Sequence, residues 1–221
     1  MGCALLVRSA WGDLAWGSKQ VDLHPGLTES EATAEFRCTN TGPDEVVIES
    51  VIAGCCCLSA SVDRKVLPVG ESARLFARFK IGQASGVQAK NIYVKLRGAG
   101  EPTVLRMVTH LVELLEMKPS RLSWETGEEP RAKLIDVLVQ PGVNLRPDRV
   151  LATDPRVQAQ IRTVQEGRHY QIVVTPGSTL QPFSTQLVLG ALVEDTVIKS
   201  FATTAEVRSR PGLKQGAYPH P

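Results

Sequence analysis

Apolar side chains recur at every second position along most of this chain, the spacing that puts them on one face of an extended strand. Between residues 32 and 40, Ala34, Phe36 and Cys38 alternate with Thr33, Glu35 and Arg37, so the first set is expected to face a core and the second to face water. Ala73, Leu75, Ala77, Phe79 and Ile81 alternate likewise with Arg74, Phe76, Arg78 and Lys80. Ile92, Val94 and Leu96 do the same within residues 91–96. Residues 45–58 read as one strand carrying Val47, Ile48, Val51 and Ile52, and the alternation slips at Glu49-Ser50, where a β-bulge would account for it. Residues 104–115 space their charges as a helix could, but their Val, Thr and Leu content predicts a closing strand.

Turn chemistry separates these segments. Asn40-Thr41-Gly42-Pro43-Asp44, Leu67-Pro68-Val69-Gly70-Glu71 and Gly98-Ala99-Gly100-Glu101-Pro102 are turns by composition, and residues 83–88 read as a Gly/Ser connection. About seven short strands at this spacing predict an immunoglobulin-like sandwich. The pattern then restarts after Glu116-Met117-Lys118-Pro119-Ser120. Residues 121–124 read as a counterpart of residues 14–16, residues 132–139 as a counterpart of the Phe36 strand, and residues 185–192 and 197–207 as a second closing pair. Trp16 and Trp124 accordingly read as equivalent packing residues. The expected architecture is all-β: two tandem immunoglobulin-like β-sandwich domains, residues 14–116 and 117–208, with a start at 1–13 and a loose tail at 209–221.

Composition narrows the partners. The 221 residues hold 25 Lys+Arg and 23 Asp+Glu for a net charge of +2, divided as 12 basic and 13 acidic in residues 1–116 and 13 and 10 in residues 117–221. Neither half offers the basic excess that nucleic acid or an anionic membrane rewards, so neither is expected as a main partner. The longest apolar runs fall far short of the roughly 18–20 residues that cross a bilayer. Cys3-Ala4-Leu5-Leu6-Val7 is compatible with the remnant of a secretion signal, though it lacks a basic flank and a full apolar stretch.

Four short motifs occur in order: Phe36-Arg37-Cys38-Thr39-Asn40-Thr41-Gly42, then Val46-Val47-Ile48-Glu49-Ser50-Val51, then Cys55-Cys56-Cys57, then Leu67-Pro68-Val69-Gly70-Glu71. In this respect residues 14–115 resemble the bacterial domain-of-unknown-function family fifteen-seventy-three, itself similar to Hydin-type, or ASH, immunoglobulin-like domains. The family pattern Ser-Cys-Gly-Cys-Thr aligns its two cysteines with Cys55 and Cys57, while Gly54, Cys56 and Leu58 depart from it. The resemblance implies an extracytoplasmic, non-catalytic module and carries no reaction with it.

The cysteines admit three readings. Cys55 and Cys57 would project to one face of a strand and Cys56 to the other; a Cys55–Cys57 bridge needs a local bend, whereas Cys38 on a neighbouring strand is the easier partner. Buried thiols or a disulfide in an oxidising compartment is the plainest reading. A soft-metal site would use Cys55, Cys56 and Cys57, with Cys38 as a further ligand, for Cu(I) or zinc. Thiol redox chemistry would need an adjacent cation, and the nearest basic pair in sequence, Arg64-Lys65, lies on a separate turn.

His24 and His220 read as solvated, and His110 and His169 fall in strands of different domains; no Gly-rich phosphate loop is present. The functional expectation is a non-enzymatic, periplasmic or secreted module that binds a protein partner through a sheet edge, with residues 91–96 as the expected edge and no cofactor. The alternatives are a Cu- or zinc-binding protein centred on the three cysteines and a two-domain periplasmic chaperone with Lys118 and Arg121 as its basic pair.

Overall fold

A computed structural model describes residues 14–210 as seventeen strands with no helix among the described residues. The chain divides into two compact units after Val112. That division precedes the boundary expected at residue 116, because residues 115–118 already form an edge strand of the second unit.

The first unit contains β1 (Leu14–Trp16), β2 (Gln20–Leu23), β3 (Glu31–Asn40), β4 (Val46–Ala53), β5 (Leu58–Val62), β6 (Val66–Leu67), β7 (Ser72–Lys80), β8 (Gly86–Leu96) and β9 (Thr103–Leu111). One sheet has the order β1-β3-β7-β5 and the other the order β2-β9-β8-β4-β6. All pairs are antiparallel except β2 with β9. Period-two burial decides which faces meet: Ala34, Phe36, Cys38, Ala73, Leu75, Ala77 and Phe79 from the first sheet pack with Ile48, Ile92, Val94, Leu105 and Met107 from the second. The alternation slip of β4 is the expected bulge, with the β4–β8 register shifting between Ile48 and Ser50.

The second unit contains β10 (Leu115–Lys118), β11 (Arg121–Glu125), β12 (Lys133–Val139), β13 (Leu145–Ala152), β14 (Val157–Gln165), β15 (His169–Pro176), β16 (Phe183–Val193) and β17 (Val197–Arg208). Its sheets run β10-β12-β15-β14 and β11-β17-β16-β13, again with one parallel pair, β11 with β17. Strand for strand this is the order of the first unit without β6, and both match the two-sheet arrangement of immunoglobulin domains. Ile135, Val137, Ile172, Val174, Leu187, Leu189 and Trp124 fill its core.

Several expectations are corrected by this topology. Residues 91–96 lie in β8, hydrogen-bonded on both sides by β9 and β4, so they are a sheet centre and not an edge. The connection expected at 83–88 ends earlier, since β8 begins at Gly86, and the closing strand expected to reach 115 stops at Leu111. Residues 121–124 form β11, whose counterpart is β2 and not β1; Trp16 and Trp124 therefore occupy different sheets and are not equivalent. Periodicity identifies a strand but not its neighbours, because neighbours are chosen by long-range pairing. The expectations for residues 1–13 and for the tail from residue 211, with His220, lie outside the described residues. No helix among the described residues is long and apolar enough to cross a membrane.

Two motif residues of the first unit are turn organisers. Asn40 is fully buried, and its side-chain amide donates to the carbonyls of Asp44 (2.7 Å) and Leu67 (2.9 Å) while its Oδ1 accepts from the Gly42 amide (3.0 Å). Its main chain pairs with the next turn: the Asn40 amide donates to the Glu71 carbonyl, and the Gly70 amide donates to the Asn40 carbonyl, both at 2.9 Å. Gly70 has a φ of 82°, in the left-handed region that glycine tolerates. The Asn-x-Gly and Pro-Gly-Glu motifs are thus two halves of one hydrogen-bonded junction.

Candidate functional site

The three adjacent cysteines sit in the crossover between the sheets. Residues 45–58 are not one strand: β4 ends at Ala53, residues 54–57 turn, and β5 begins at Leu58. Gly54 makes the turn possible. Its amide donates to the Asn91 carbonyl (2.9 Å), and a Cβ at this position would stand 2.8 Å from that same oxygen. The Leu58 amide then closes the turn on the Cys55 carbonyl (3.2 Å).

This turn supplies the bend that a Cys55–Cys57 bridge requires, and the two residues form a disulfide across a Cα separation of 5.4 Å. The easier pairing with Cys38 is not made. Cys38 is a buried free thiol on β3 whose Sγ donates to the Ala73 carbonyl (3.7 Å), and burial pushes it above the ordinary thiol pKa, so it stays protonated and inert. Cys56 is free and exposed. Among the described residues no group of three or more His, Cys, Asp or Glu side chains is gathered as metal ligands would be.

A disulfide closing so short a loop does little for global stability. In the chain-entropy account, a three-residue loop is worth roughly 1.5–2 kcal/mol, against about 4–5 for a loop of a hundred residues. Its main effect is local: it fixes the turn that launches β5.

β5 is an edge strand, paired with β7 alone. The Lys80 amide donates to the Cys57 carbonyl (2.9 Å) and the Asp63 amide to the Arg74 carbonyl (3.0 Å), which sets the antiparallel alternation. Cys57, Ser59, Ser61 and Asp63 therefore address β7, and the backbone N–H and C=O of Ala60 and Val62 point to the unpaired side. Natural edges are usually blunted by charge, proline, a bulge or brevity. β13 carries Pro147 and a register shift, β14 carries a shift and Arg162, and β2, β10 and β11 carry charges. β6 has two residues and β1 three, whereas β5 has five residues, Leu-Ser-Ala-Ser-Val, and none of these guards.

Beside this edge the outer face of β3, β7 and β5 forms an open depression of about 1010 Å³, with Cys56 and Cys57 at one end. Lys80 lines it too, and its amide bond to the Cys57 carbonyl places it across from Cys57 at the end of the β5–β7 pairing, while Cys57 itself also packs partly against the core. Glu31, across from Lys80 on β3, gives its carboxylate to Arg78 (3.2 Å), and Glu35 pairs with Arg37 (2.8 Å). Lys80 has no carboxylate partner among the described residues. Lys80 is thus a cation that strand register, not chain proximity, brings beside the cysteine turn.

The histidines lie elsewhere. His24 stacks on His110 with ring centroids 4.6 Å apart, and His110 Nε2 lies 3.1 Å from Asp22 Oδ1. Hydrogen bonds from Gln20 and then His110 hold the Asp22 carboxyl below its ordinary pKa. In the second unit His169 Nε2 lies 2.7 Å from Asp136 Oδ1, which also accepts from Gln171 Nε2 (2.8 Å). Both clusters are cross-strand pairs on outer sheet faces, invisible until register is known. Lys118 and Arg121 are ion-paired to Glu116 and Glu206.

The fold and this turn define the first unit as an immunoglobulin-type β-sandwich with a disulfide-closed crossover. Residues 14–111 match the family described as Protein of unknown function (DUF1573). No curated protein matches the chain. Among solved structures, a protein of unknown function from Porphyromonas gingivalis W83 is 15% identical over 89% of this chain and 100% of its own, with a TM-score of 0.37. The Vibrio cholerae VesB protease is 15% identical over 45% of this chain and 32% of its own, with a TM-score of 0.37. The YadV chaperone is 9% identical over 88% of this chain and 100% of its own, with a TM-score of 0.35. Likeness at this level carries no argument about what this chain does.

Proposed function

We propose that this protein is a non-enzymatic, extracytoplasmic interaction module whose β5 edge accepts an extended segment of a protein partner. The observation that supports this reading is the unguarded edge: the outward N–H and C=O groups of Ala60 and Val62 can extend the β1-β3-β7-β5 sheet by one strand. Main-chain hydrogen bonds would hold the segment, and the depression over β3, β7 and β5 would receive its alternate side chains. The Cys55–Cys57 disulfide favours an oxidising compartment.

Ala60→Pro tests the edge without unpairing the sheet, because the Ala60 amide points away from β7 and an edge strand tolerates proline there. Capture from cell-envelope extract should recover a partner with the wild type and lose it with Ala60→Pro, while both proteins keep the same far-ultraviolet circular dichroism. In the recovered complex the Ala60 and Val62 amides should gain protection from hydrogen exchange. Undiminished capture by Ala60→Pro, or protection confined to another edge such as β14, would refute this surface.

A further inference from the structure

The Cys55–Cys57 bridge contributes little to global stability, is only partly buried against the core, and has Cys57 at one end of the depression that runs along the unguarded edge. Lys80 lies across from Cys57, lines the same depression, and has no carboxylate partner among the described residues. A structural staple needs neither the groove nor the cation. A site that receives thiolates needs both, since the thiolate is the nucleophile in disulfide exchange and a nearby ammonium attracts and stabilises it.

We propose that the Cys55–Cys57 turn is a thiol–disulfide exchange site whose substrates are extended protein segments carrying two cysteines. The substrate class rests on the edge-docking reading given above; the chemistry at sulfur does not. A segment thiolate attacks Cys57 Sγ from the groove. The Cys55–Cys57 bond breaks, its electron pair leaves on Cys55, which takes a proton from water, and a mixed disulfide joins the segment to Cys57. The segment's second thiolate then attacks its own bonded sulfur and expels the Cys57 thiolate opposite Lys80. Two thiols of the segment become one disulfide, and the two electrons reside in the reduced Cys55 and Cys57. A small-molecule or protein disulfide reverses these steps to reoxidise the turn. Cys56, exposed between the two, takes no part, and Cys38 is sequestered in the core.

The test uses the full chain carrying Cys3→Ala and Cys56→Ala, so that, with Cys38 in the core, every other thiol trapped comes from the bridge. Reduced glutathione and a reduced two-cysteine peptide of β-forming sequence are the probes, with acid quenching, alkylation and mass spectrometry as the readout. The expected result is a glutathione mixed disulfide on Cys57 in the native protein, and faster exchange with the peptide than with glutathione at equal thiol concentration. Lys80→Gln should slow exchange roughly three- to tenfold at low ionic strength, the difference closing near 1 M salt, where the screening length is about 3 Å. Ala60→Pro should remove the peptide's advantage and leave glutathione exchange intact. A bridge that resists millimolar glutathione in the folded protein, yet is reduced once the chain is unfolded in guanidinium, overturns the exchange site and leaves edge docking standing. Exchange with glutathione and no peptide advantage in the wild type overturns the assigned substrate class. An unchanged rate in Lys80→Gln overturns the role of the cation.

Discussion

Asn40→Asp exchanges an amide for a carboxylate of nearly the same shape at the junction of the two motif turns. The Gly42 amide keeps its acceptor, but the donor shared by the Asp44 and Leu67 carbonyls is lost. The Leu67 carbonyl is buried, and leaving it unpaired costs about 1–3 kcal/mol before any repulsion between oxygens, while the Asp44 carbonyl is near enough to solvent for water to replace the lost donor. For a unit of about a hundred residues, 1 kcal/mol corresponds to about 4–8 °C in Tm, which places the loss at roughly 5 °C or more. Acid should return part of it. A carboxyl facing two carbonyls is stabilised in its protonated form, so its folded pKa lies above its unfolded value. The stability it contributes is then complete below the unfolded pKa near 4 and is lost as pH rises through the folded value. Urea unfolding followed by hydrogen-exchange mass spectrometry of peptides from the first unit, at pH 4 and pH 7, measures both effects. A variant within about 1 kcal/mol of wild type at pH 7, or a deficit independent of pH, would refute the reasoning.

Two further outcomes can be checked separately. Gly54→Ala sets a Cβ 2.8 Å from the Asn91 carbonyl, so β4 and β8 must part where the Gly54 amide is bonded; overpacking against backbone should cost about 1–3 kcal/mol, measured by urea unfolding, and raise hydrogen exchange at Gly54. Asp154 is held at a pKa of about 2 by its hydrogen bonds from the Arg156 side chain and amide; its stabilisation is therefore present above pH 4 and fades as pH falls toward 2, and a carboxyl-carbon titration should show the midpoint returning toward 3.8 in Arg156→Ala.

The legible part of this molecule is the part governed by local chemistry. Period two along residues 32–40 and 73–81 already names the buried residues of β3 and β7, since adjacent side chains of a strand must face opposite ways. The bulge of β4 shows as a slip in that period, and the restart beyond residue 116 announces a second sandwich. What to pair with what was not legible. Residues 91–96 look like any half-buried strand and turn out to be a sheet centre, while Leu58–Val62, of which the pattern marks only Leu58 as the end of a longer strand, is the open edge.

The cysteine turn divides the same way. Three consecutive cysteines behind a glycine are visible as a feature of the chain, and so is the need for a bend if two of them are to bond. That the bend exists depends on Gly54 meeting the Asn91 carbonyl, and that Lys80 lies across from Cys57 depends on how β7 registers against β5. Sequence by itself determined the strands, their buried faces and the sulfur chemistry on offer, because these follow from covalent geometry and side-chain type. The tertiary structure alone decided which edge stays unpaired, which thiols meet and which cation stands by them, because each depends on residues brought together across the sheet and not along the chain.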